Sequence, residues 1–461
     1  MWKYVLIIIL NLFLQQLTAS QSFPDSVSVK ASIKYKSPSL LKLILFGSNY
    51  RKEWSTPVTM EVLDLRTDHP DFRPDELGGG HQTTSLHLKD KKGRDWSLRS
   101  VDKNVDKLLP PLLRKTSLKK VVQEVISGSY PYAGLSIPVL CNAAGVIAGR
   151  QQLYYVPDDT ALGEFRNAVG NDVYILVERQ PTSSEDLNTE KMMEQLKKDN
   201  YFTVDQEALL KLRLIDWLIG DWDRHAGQFR WLLKDSGDRK WFTPLARDRD
   251  QAFFHSGGLL VKLVSLTAMP YLGGFKNKST DIRRLSHKSV EITLALLNEL
   301  EKNDWERIIL DFQKNITDSV IETAIRKQPP EIYAISGEKI IRKLKSRRDG
   351  LLEHVMKYYS LLAKRVTVRG SDKAEVFKIA CSGDTTQVSV YGYNNSDTTL
   401  KPLYDRTFIA KETKGIYMEG LDGNDQLLTE GDKSRIKIHY KDIGDIGRKG
   451  EYTFNEKKNK N

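Results

Sequence analysis

The sequence predicts a mixed α+β protein in which strand-rich and helical regions follow one another along the chain. Residues 27–182 contain short alternating apolar runs divided by turn residues, which is typical of β-strands. Residues 183–368 carry apolar side chains every three or four positions, as helices do. Residues 372–445 return to short alternating runs with Gly, Asp and Asn turns, which predicts a small all-β domain. With 461 residues, 40% of them hydrophobic, the chain can bury a core for each unit.

Residues 1–20 differ from the rest of the chain and have the pattern of a signal peptide. Lys3 precedes an apolar stretch from Val5 to Leu14, and residues 18–20 are small, as at a cleavage site. An apolar core of about ten residues is too short to span a bilayer of roughly 30 Å, and no later segment reaches the required length. We therefore expect an exported protein, periplasmic or associated with the outer membrane, without a transmembrane span in the mature chain.

The clearest hairpin of the strand-rich region is predicted at residues 83–101, where two alternating runs flank a turn around Gly93. Three consecutive glycines, Gly78, Gly79 and Gly80, precede it. Residues 116–127 have helical spacing, and residues 172–181 are predicted to be a buried strand that leads into a loop.

The helical region is predicted to contain four long helices, at residues 205–219, 289–301, 305–326 and 338–363. Thr203 and Gln206 have the spacing of a capping box for the first of them. Gly220 stands where a C-terminal glycine would end that helix, so the polar residues that follow it are expected on a loop.

The charge balance disfavours nucleic acid as a partner. The 71 Lys and Arg exceed the 60 Asp and Glu, giving a net charge of +11, but the basic residues are spread along amphipathic segments and form no block. Cys141 and Cys381 are the two cysteines, and they are expected either to pair in an oxidising compartment or to be separate buried thiols. In the C-terminal domain, the motif GLDGND at residues 420–425 is interpreted as an ordinary hairpin turn, with a calcium-binding repeat as the alternative. Residues 446–461 are expected to be a polar tail.

Two acidic clusters are expected to lie close together. Asp221, Asp223, Arg224 and His225 follow the first long helix, and a predicted hairpin then returns the chain to an acidic pair at residues 248–250. Converging carboxylates repel one another and raise each other's pKa values unless a metal ion or a cationic side chain neutralises them. We expect a divalent metal in this role. The alternative is a helix-terminal turn tied together by ion pairs.

Residues 221–228 resemble the Asp-Arg-His-x-x-Asn loop of the atypical kinases. The chain more closely resembles a family of uncharacterised bacterial envelope proteins with a kinase-like domain, over roughly residues 40–440. The resemblance rests on a set of segments in chain order: LFGSNYRKEWSTPV, Gly-Gly-Gly-x-Gln-Thr, SVDK, DWDRH, RDRDQAF and YAISGEKIIRKLKSRRDGL. Some relatives carry a preceding phosphoesterase domain and a following outer-membrane surface-antigen barrel. The resemblance implies a two-lobed fold, with a strand-rich N-lobe at residues 27–182 and a helical C-lobe at residues 183–368.

The resemblance implies catalytic and metal-binding roles in the C-lobe. Asp223 would be the catalytic base or substrate orienter, in one loop with Arg224 and with His225, which would hold the loop by hydrogen bonds. Asp250 would bind Mg²⁺ or Mn²⁺, with Asp248 as its alternate. Gln228 stands where the atypical kinases have a metal-binding Asn, so a longer amide would have to reach the ion.

The resemblance also implies a phosphate-binding loop in the N-lobe. Gly78, Gly79 and Gly80 would let the backbone approach the phosphates of ATP or another nucleotide, although three glycines also make a flexible turn. Arg99 or Lys103 would pair with phosphate.

Two further N-lobe positions complete this expected nucleotide site. Glu124 on the following helix would orient the phosphate-binding cation. Residues 174–178, centred near Val177, would form the edge that hydrogen-bonds an adenine.

Three functions remain open from the sequence. The first is a metal-dependent phosphotransferase that acts on an unspecified acceptor. The second is an inactive kinase-like binding or assembly module of the cell envelope, with a nucleotide, phosphorylated lipid, glycan or other phosphorylated small molecule as ligand, or an envelope or outer-membrane protein as partner. An exported protein would lack the cytoplasmic ATP pool, and Gln228 departs from the kinase pattern. The third is a metal-dependent, two-metal phosphoesterase, which usually takes its ligands from several strand ends and includes multiple histidines, a spread that the eight histidines here do not show.

Overall fold

A computed structural model describes most of the chain. The described residues are 23–35, 38–66, 71–78, 83–105, 114–115, 117–182, 184–237, 239–278, 282–393, 401–442 and 451–454. The predicted signal peptide, Gly79, Gly80 and most of the predicted tail lie outside them. The described part is mixed α+β, with strand-rich sheets first, a helical middle and small β-sheets at the C-terminus, which confirms the predicted fold class.

A seven-stranded sheet forms the centre of the N-terminal region, in the order β1-β2-β7-β8-β5-β4-β3. The predicted hairpin is present as β4 and β5, with its turn at Gly93 in the left-handed region. The strands of this region are β1 (Ser26–Lys30), β2 (Pro57–Val62), β3 (Arg73–Gly78), β4 (Ser85–Lys89), β5 (Asp95–Ser100), β6 (Ile147–Ala148), β7 (Gln151–Val156) and β8 (Asp172–Glu178).

In the described part of the chain, five helices accompany the strands of the N-terminal region. The helix predicted at residues 116–127 is present as Ser117–Ile126. The helix Ala133–Ala143 packs on a helix of the middle region, Asp318–Ile325, and thereby joins the two regions. The helices here are α1 (Leu40–Phe46), α2 (Arg51–Ser55), α3 (Ser117–Ile126), α4 (Ala133–Ala143) and α5 (Arg166–Val169).

A second sheet, in the order β10-β12-β11-β9, lies at the start of the middle region. Its long hairpin is the one predicted after residue 228, and β6 joins it beside β12. The strands are β9 (Asp186–Asn188), β10 (Phe202–Val204), β11 (Arg230–Asp235) and β12 (Lys240–Ala246).

The helical middle has more and shorter helices than the sequence predicted. Residues 305–326 divide because Thr317 caps a new helix, and residues 338–363 divide at Gly350. The helices are α6 (Thr189–Lys198), α7 (Gln206–Ile219), α8 (Leu259–Thr267), α9 (Ile282–Leu285), α10 (Val290–Leu296), α11 (Lys302–Asn315), α12 (Asp318–Ile325), α13 (Pro330–Ile332), α14 (Glu338–Asp349) and α15 (Leu351–Leu362).

Helix α7 is the centre of the largest hydrophobic core, because every residue from Leu212 to Ile219 is buried. The capping box predicted for it is wrong. Asp205 caps the helix by accepting the Ala208 N–H, while Thr203 lies in β10. The predicted end is correct, since Gly220 closes the helix with φ 70°, a left-handed conformation that glycine adopts without strain.

The C-terminal region consists of two four-stranded sheets, β13-β17-β19-β20 and β16-β15-β14-β18. The hairpin interpretation of residues 420–425 is wrong, because β17 and β18 belong to different sheets and the segment crosses between them. The strands are β13 (Arg365–Arg369), β14 (Glu375–Ser382), β15 (Thr385–Gly392), β16 (Tyr404–Ile409), β17 (Gly415–Gly420), β18 (Gln426–Gly431), β19 (Lys437–Asp442) and β20 (Glu451–Phe454).

Two further expectations concern the described residues. Cys141 is buried, Cys381 is half-buried, and both are free thiols, so the expected alternative of a pair between them is wrong. Within the described ranges, no helix has the length and apolar character needed to cross a membrane.

Candidate functional site

The loop after α7 is shaped by the end of that helix. Gly220 turns the chain, its N–H and that of Asp221 both bond to the carbonyl oxygen of Asp216, and Asp221 then accepts the N–H of Asp223 at 3.0 Å. A short 3-10 turn at Ala226–Gln228 leads directly into β11. The loop is therefore held at both ends by regular structure.

Arg224 ties this loop to the segment after β12. It is fully buried, and its guanidinium donates to the carbonyl oxygens of Asp248 at 2.6 Å and Gln228 at 2.8 Å. Asp248 has φ 53°, a left-handed conformation that costs a non-glycine residue about 1–3 kcal/mol. The predicted return of the chain is thus present. Arg224, expected in the catalytic loop, positions the backbone and is shielded from solvent.

A buried cluster of charges lies beneath the loop and was not predicted. Asp216 of α7 binds Arg213 at 2.7 Å and Arg249 at 2.9 Å, and Arg224 lies 3.8 Å away. Burial raises the pKa of Asp221 to about 7, against the opposing charge of Arg224. In the sequence, Asp216 stands within an apolar helical run, and this is the signal that could have marked it as paired.

The predicted N-lobe cations meet the predicted acidic pair. Lys103 is buried and its ammonium lies 2.9 Å from a carboxylate oxygen of Asp250, while Arg99 forms an ion pair with Asp248. Burial acts to raise the pKa of the Asp250 carboxyl, but Lys103 and Arg99 outweigh it and hold that pKa below its usual range. Residues 147 positions apart in the chain therefore share one site.

These four side chains line a cavity of about 70 Å³ between the N-terminal sheet and the middle region. Val177 also lines it, as do residues that sequence reasoning did not select, among them Ser129, Gln151 and Arg249. Small-molecule sites commonly measure about 300–1,000 Å³, so a nucleotide would require the two ion pairs to part.

Asp223 does not line this cavity and has a different partner. Its carboxylate binds the ammonium of Lys288 at 2.6 Å, and that ammonium lies over the rings of Trp222 and Tyr271, which stack at 4.9 Å. Asp223 and Asp250, which were expected to share one cation, are therefore each paired with a different lysine, Lys288 and Lys103. Lys288 lies 65 residues from Asp223 in sequence, where no spacing signal links them.

Metal binding stays a prediction. No group of three or more His, Cys, Asp or Glu side chains suited to a metal ion occurs among the residues that the structure describes. The carboxylates of the expected ligands Asp248 and Asp250 are compensated by cationic side chains. The side-chain oxygen of Gln228 is buried without a hydrogen-bond partner, which leaves a neutral oxygen donor available.

His225 and Gly78 have local contacts. His225 is exposed, and its Nδ1 accepts the N–H of Gly227 at 3.2 Å, consistent with a role in holding the loop. Gly78 ends β3 opposite Ser85, and a Cβ on it would lie 2.6 Å from His87 Nε2. A side chain at this position would therefore displace the imidazole.

The structure corrects two predicted N-lobe roles. The ion pairs of Glu124 are with Arg51 and with Lys42, the latter at 2.6 Å, and not with Arg99 or Lys103. Residues 174–178 are not a free edge, because β8 is paired on one side with β5 and on the other with β7. The backbone there is used by the sheet.

Comparisons with known proteins give little further support. No protein-family model and no curated protein matches the chain. The chain is similar to a solved structure described as a Helicobacter pylori proinflammatory kinase, CtkA, with 13% identity and a TM-score of 0.31 over 60% of this chain and 95% of that one. A similarity at this level assigns neither a fold family nor an activity.

Proposed function

We propose that the protein is a kinase-like, metal-dependent phosphotransferase that binds a phosphorylated ligand, ATP or another nucleotide, in the cleft between the N-terminal sheet and the helical middle. The single observation that carries the proposal is the meeting of Lys103 and Asp250 at 2.9 Å, beside the pair of Arg99 and Asp248. Two cations and two carboxylates in one cleft are the groups that recognise phosphate and a divalent ion.

The cations are assigned to phosphate and the carboxylates to the metal. Arg99 presents a planar fork suited to phosphate oxygens, and Lys103 supplies a compact charge. Asp250 and Asp248, with the unpartnered oxygen of Gln228, are hard oxygen donors, which fit Mg²⁺ or Mn²⁺. When bound, the ion would neutralise charge on the phosphate oxygens. Ligand entry separates the ion pairs, so each side chain exchanges its protein partner for a ligand group.

Asp223 is assigned to the acceptor. Its carboxylate lies beside Lys288, and both are only partly buried, so an acceptor hydroxyl can approach the carboxylate from solvent. In this position Asp223 orients the hydroxyl and accepts its proton. Lys288, held by Trp222 and Tyr271, keeps the carboxylate in place.

A binding module without transfer is the second candidate. Gln228 in place of Asn, and the engagement of both Asp248 and Asp250 by cationic side chains, favour a site that holds an anionic ligand without turnover. In either case, the signal-peptide pattern of residues 1–20 supports an exported location, in the periplasm or at the outer membrane, where an envelope protein could be the partner.

Binding and transfer are tested separately. Calorimetric titration with ATP, GTP and ADP, each with Mg²⁺ or Mn²⁺, is expected to show binding that Lys103→Met and Asp250→Asn remove. Lys89→Met is the matched control, because Lys89 forms an exposed ion pair with Asp95 in the same sheet. Binding unaffected by Lys103→Met would refute the site.

Transfer of radiolabelled γ-phosphate to the protein or to added acceptors then separates the candidates. Loss of transfer in Asp223→Asn with binding intact supports the phosphotransferase. Binding without transfer in the unmodified protein supports the binding module. Release of inorganic phosphate from a simple phosphate ester that depends on Asp250 but not on Asp223 would support the third candidate, the phosphoesterase.

A further inference from the structure

Helices α1 and α8 together expose a row of large apolar side chains. We call these six residues the leucine face. Their exposed fractions are Leu40 74%, Leu41 64%, Ile44 49%, Leu259 63%, Leu263 60% and Leu266 65%. Contiguous exposed apolar side chains on this scale are typical of a binding surface, since single scattered ones would need no explanation.

The leucine face is additional to the core that holds these helices in place. Phe46 of α1 and Val261 of α8 point inward and form a small buried cluster with Phe254 and Leu272. Both helices are therefore apolar on two sides. The inward side chains are buried in the core, whereas the outward side chains are exposed and add little buried apolar area to the fold.

The two helices are fixed against each other by close backbone contact. A Cβ on Gly258, which precedes α8, would lie 2.2 Å from the carbonyl oxygen of Leu45. The N–H of Gly257 also donates to the side chain of Asn49 at 3.3 Å. The leucine face is thus a preformed surface whose geometry does not depend on a partner.

The two chain segments that form the leucine face carry cationic side chains and no carboxylates of their own. Residues 38–50 and 251–278, which contain the two helices, include no Asp or Glu. Lys42 lies on α1 and exposed Lys262 on α8, and exposed Lys276 and Lys278 follow. Glu124, which binds Lys42 at 2.6 Å, is the buried carboxylate of an ion-pair set that also contains Arg51. An apolar surface with a cationic rim is complementary to an anionic one.

We infer that the leucine face docks on the surface of a bilayer that contains anionic lipids. Leu259, Leu263 and Leu266 have the i, i+4, i+7 spacing of one helix face, which can enter the boundary between headgroups and acyl chains. The lysines remain at headgroup level, where each contributes about 1 kcal/mol of attraction to an anionic leaflet. If the partner were a groove on another protein, we would expect some hydrogen-bonding side chains on the exposed side of these helices. That side carries mainly aliphatic side chains, which favours a lipid surface.

Docking would bring the Asp223 loop to the lipid surface. Trp222 packs edge-on against Phe254, a member of the cluster under the leucine face, with ring centroids 5.8 Å apart. Asp223 and Lys288 are therefore neighbours of the docked surface. The docking inference does not rest on phosphoryl transfer, because it concerns the surface alone.

Co-sedimentation with vesicles of phosphatidylcholine, with or without phosphatidylglycerol, tests the inference. The protein is expected to bind the anionic vesicles and to be released as salt is raised. The triple variant Leu259→Ser, Leu263→Ser, Leu266→Ser is expected to lose at least about tenfold in partitioning, because each leucine contributes by leaving water. A matched control is Leu310→Ser with Leu361→Ser, which removes exposed leucines elsewhere.

Two further variants separate the terms of the interaction. Leu266→Asp adds an anionic charge to the leucine face and is expected to weaken binding beyond the loss of one leucine. Lys262→Gln is expected to weaken binding to anionic vesicles, whereas Lys314→Gln, an exposed lysine on α11, is not. Circular dichroism melting confirms that each variant is folded.

Three outcomes would overturn the inference. Equal binding to neutral and anionic vesicles would refute the charge argument. Full binding by the folded triple variant would assign lipid contact to another segment of the chain. Self-association, measured by light scattering, that the triple variant abolishes while vesicles bind neither protein would show that a second copy covers the leucine face.

Discussion

Replacement of the buried Arg224 by methionine is expected to destabilise the middle of the molecule by about 3–5 kcal/mol. The guanidinium donates to two backbone carbonyls, those of Asp248 and Gln228, at 2.6 and 2.8 Å. A hydrogen bond from a charged group contributes about 1.5–3 kcal/mol, so two contribute roughly 3–6 kcal/mol. Full burial means that solvent does not screen this loss.

The charges near Arg224 reduce this loss only slightly. Asp216 keeps two other arginines, Arg213 and Arg249, at hydrogen-bonding distance. Asp221, whose pKa burial already raises to about 7, can become protonated when Arg224 is absent, which lowers the cost of leaving it unpaired. The upper end of the hydrogen-bond sum is therefore not expected.

Thermal unfolding, followed by circular dichroism, measures the effect. For a region of about 150–250 residues, a loss of about 1 kcal/mol in the free energy of unfolding lowers the melting midpoint by roughly 2–4 °C. The expected decrease in the midpoint is therefore roughly 6–20 °C. Arg224→Lys should lose less, because an ammonium can still donate to one carbonyl. Arg435→Met is the control, since Arg435 pairs with Asp384 at the exposed surface. An Arg224→Met midpoint no lower than that of the control would refute the positioning role.

Three further predictions concern other buried groups. Because burial raises the folded pKa of Asp221 from 3.8 to about 7, its contribution to stability is fully present below about pH 4 and is lost as pH rises to about 7, so Asp221→Asn should gain stability relative to wild type between about pH 4 and pH 7 and keep that gain above it, measured by urea unfolding. Burial raises the pKa of the Cys141 thiol to about 12, so a thiol reagent should label Cys381 in the native protein and Cys141 only after unfolding, as mass spectrometry can show; a native disulfide would contradict this. Gly258→Ala should destabilise the contact with α1 by about 1–3 kcal/mol, since the added Cβ meets backbone; an unchanged melting midpoint would contradict the close packing.

The sequence was informative where local chemistry decides the structure. Gly220 ends its helix because glycine adopts the left-handed conformation without strain. The position of this glycine directly after an apolar helical run is visible in the sequence. The hairpin after residue 228 follows from alternating runs around a turn, and it correctly places the loop at residues 221–228 beside the acidic pair at residues 248–250.

Partners distant in sequence could not be predicted in the same way. The choice of cation for each carboxylate, Lys288 for Asp223 and Arg51 for Glu124, depends on how elements pack, and lysine and arginine are too common for spacing to select one. A glycine such as Gly350 fits within a helical pattern, so the apolar periodicity predicted one continuous helix where the structure has two.

The C-terminal strands have a consequence for how that region assembles. Strand β13 belongs to one sheet, and the next three strands, β14 to β16, belong to the other. Strand β17 is again in the first sheet, β18 in the second, and β19 and β20 in the first. Neither sheet is contiguous in sequence, so each sheet needs strands that follow part of the other sheet along the chain. Such non-local pairing slows folding and makes it cooperative. A cut between β17 and β18 would therefore deprive both sheets of strands at once, and no half of this region is expected to persist by itself.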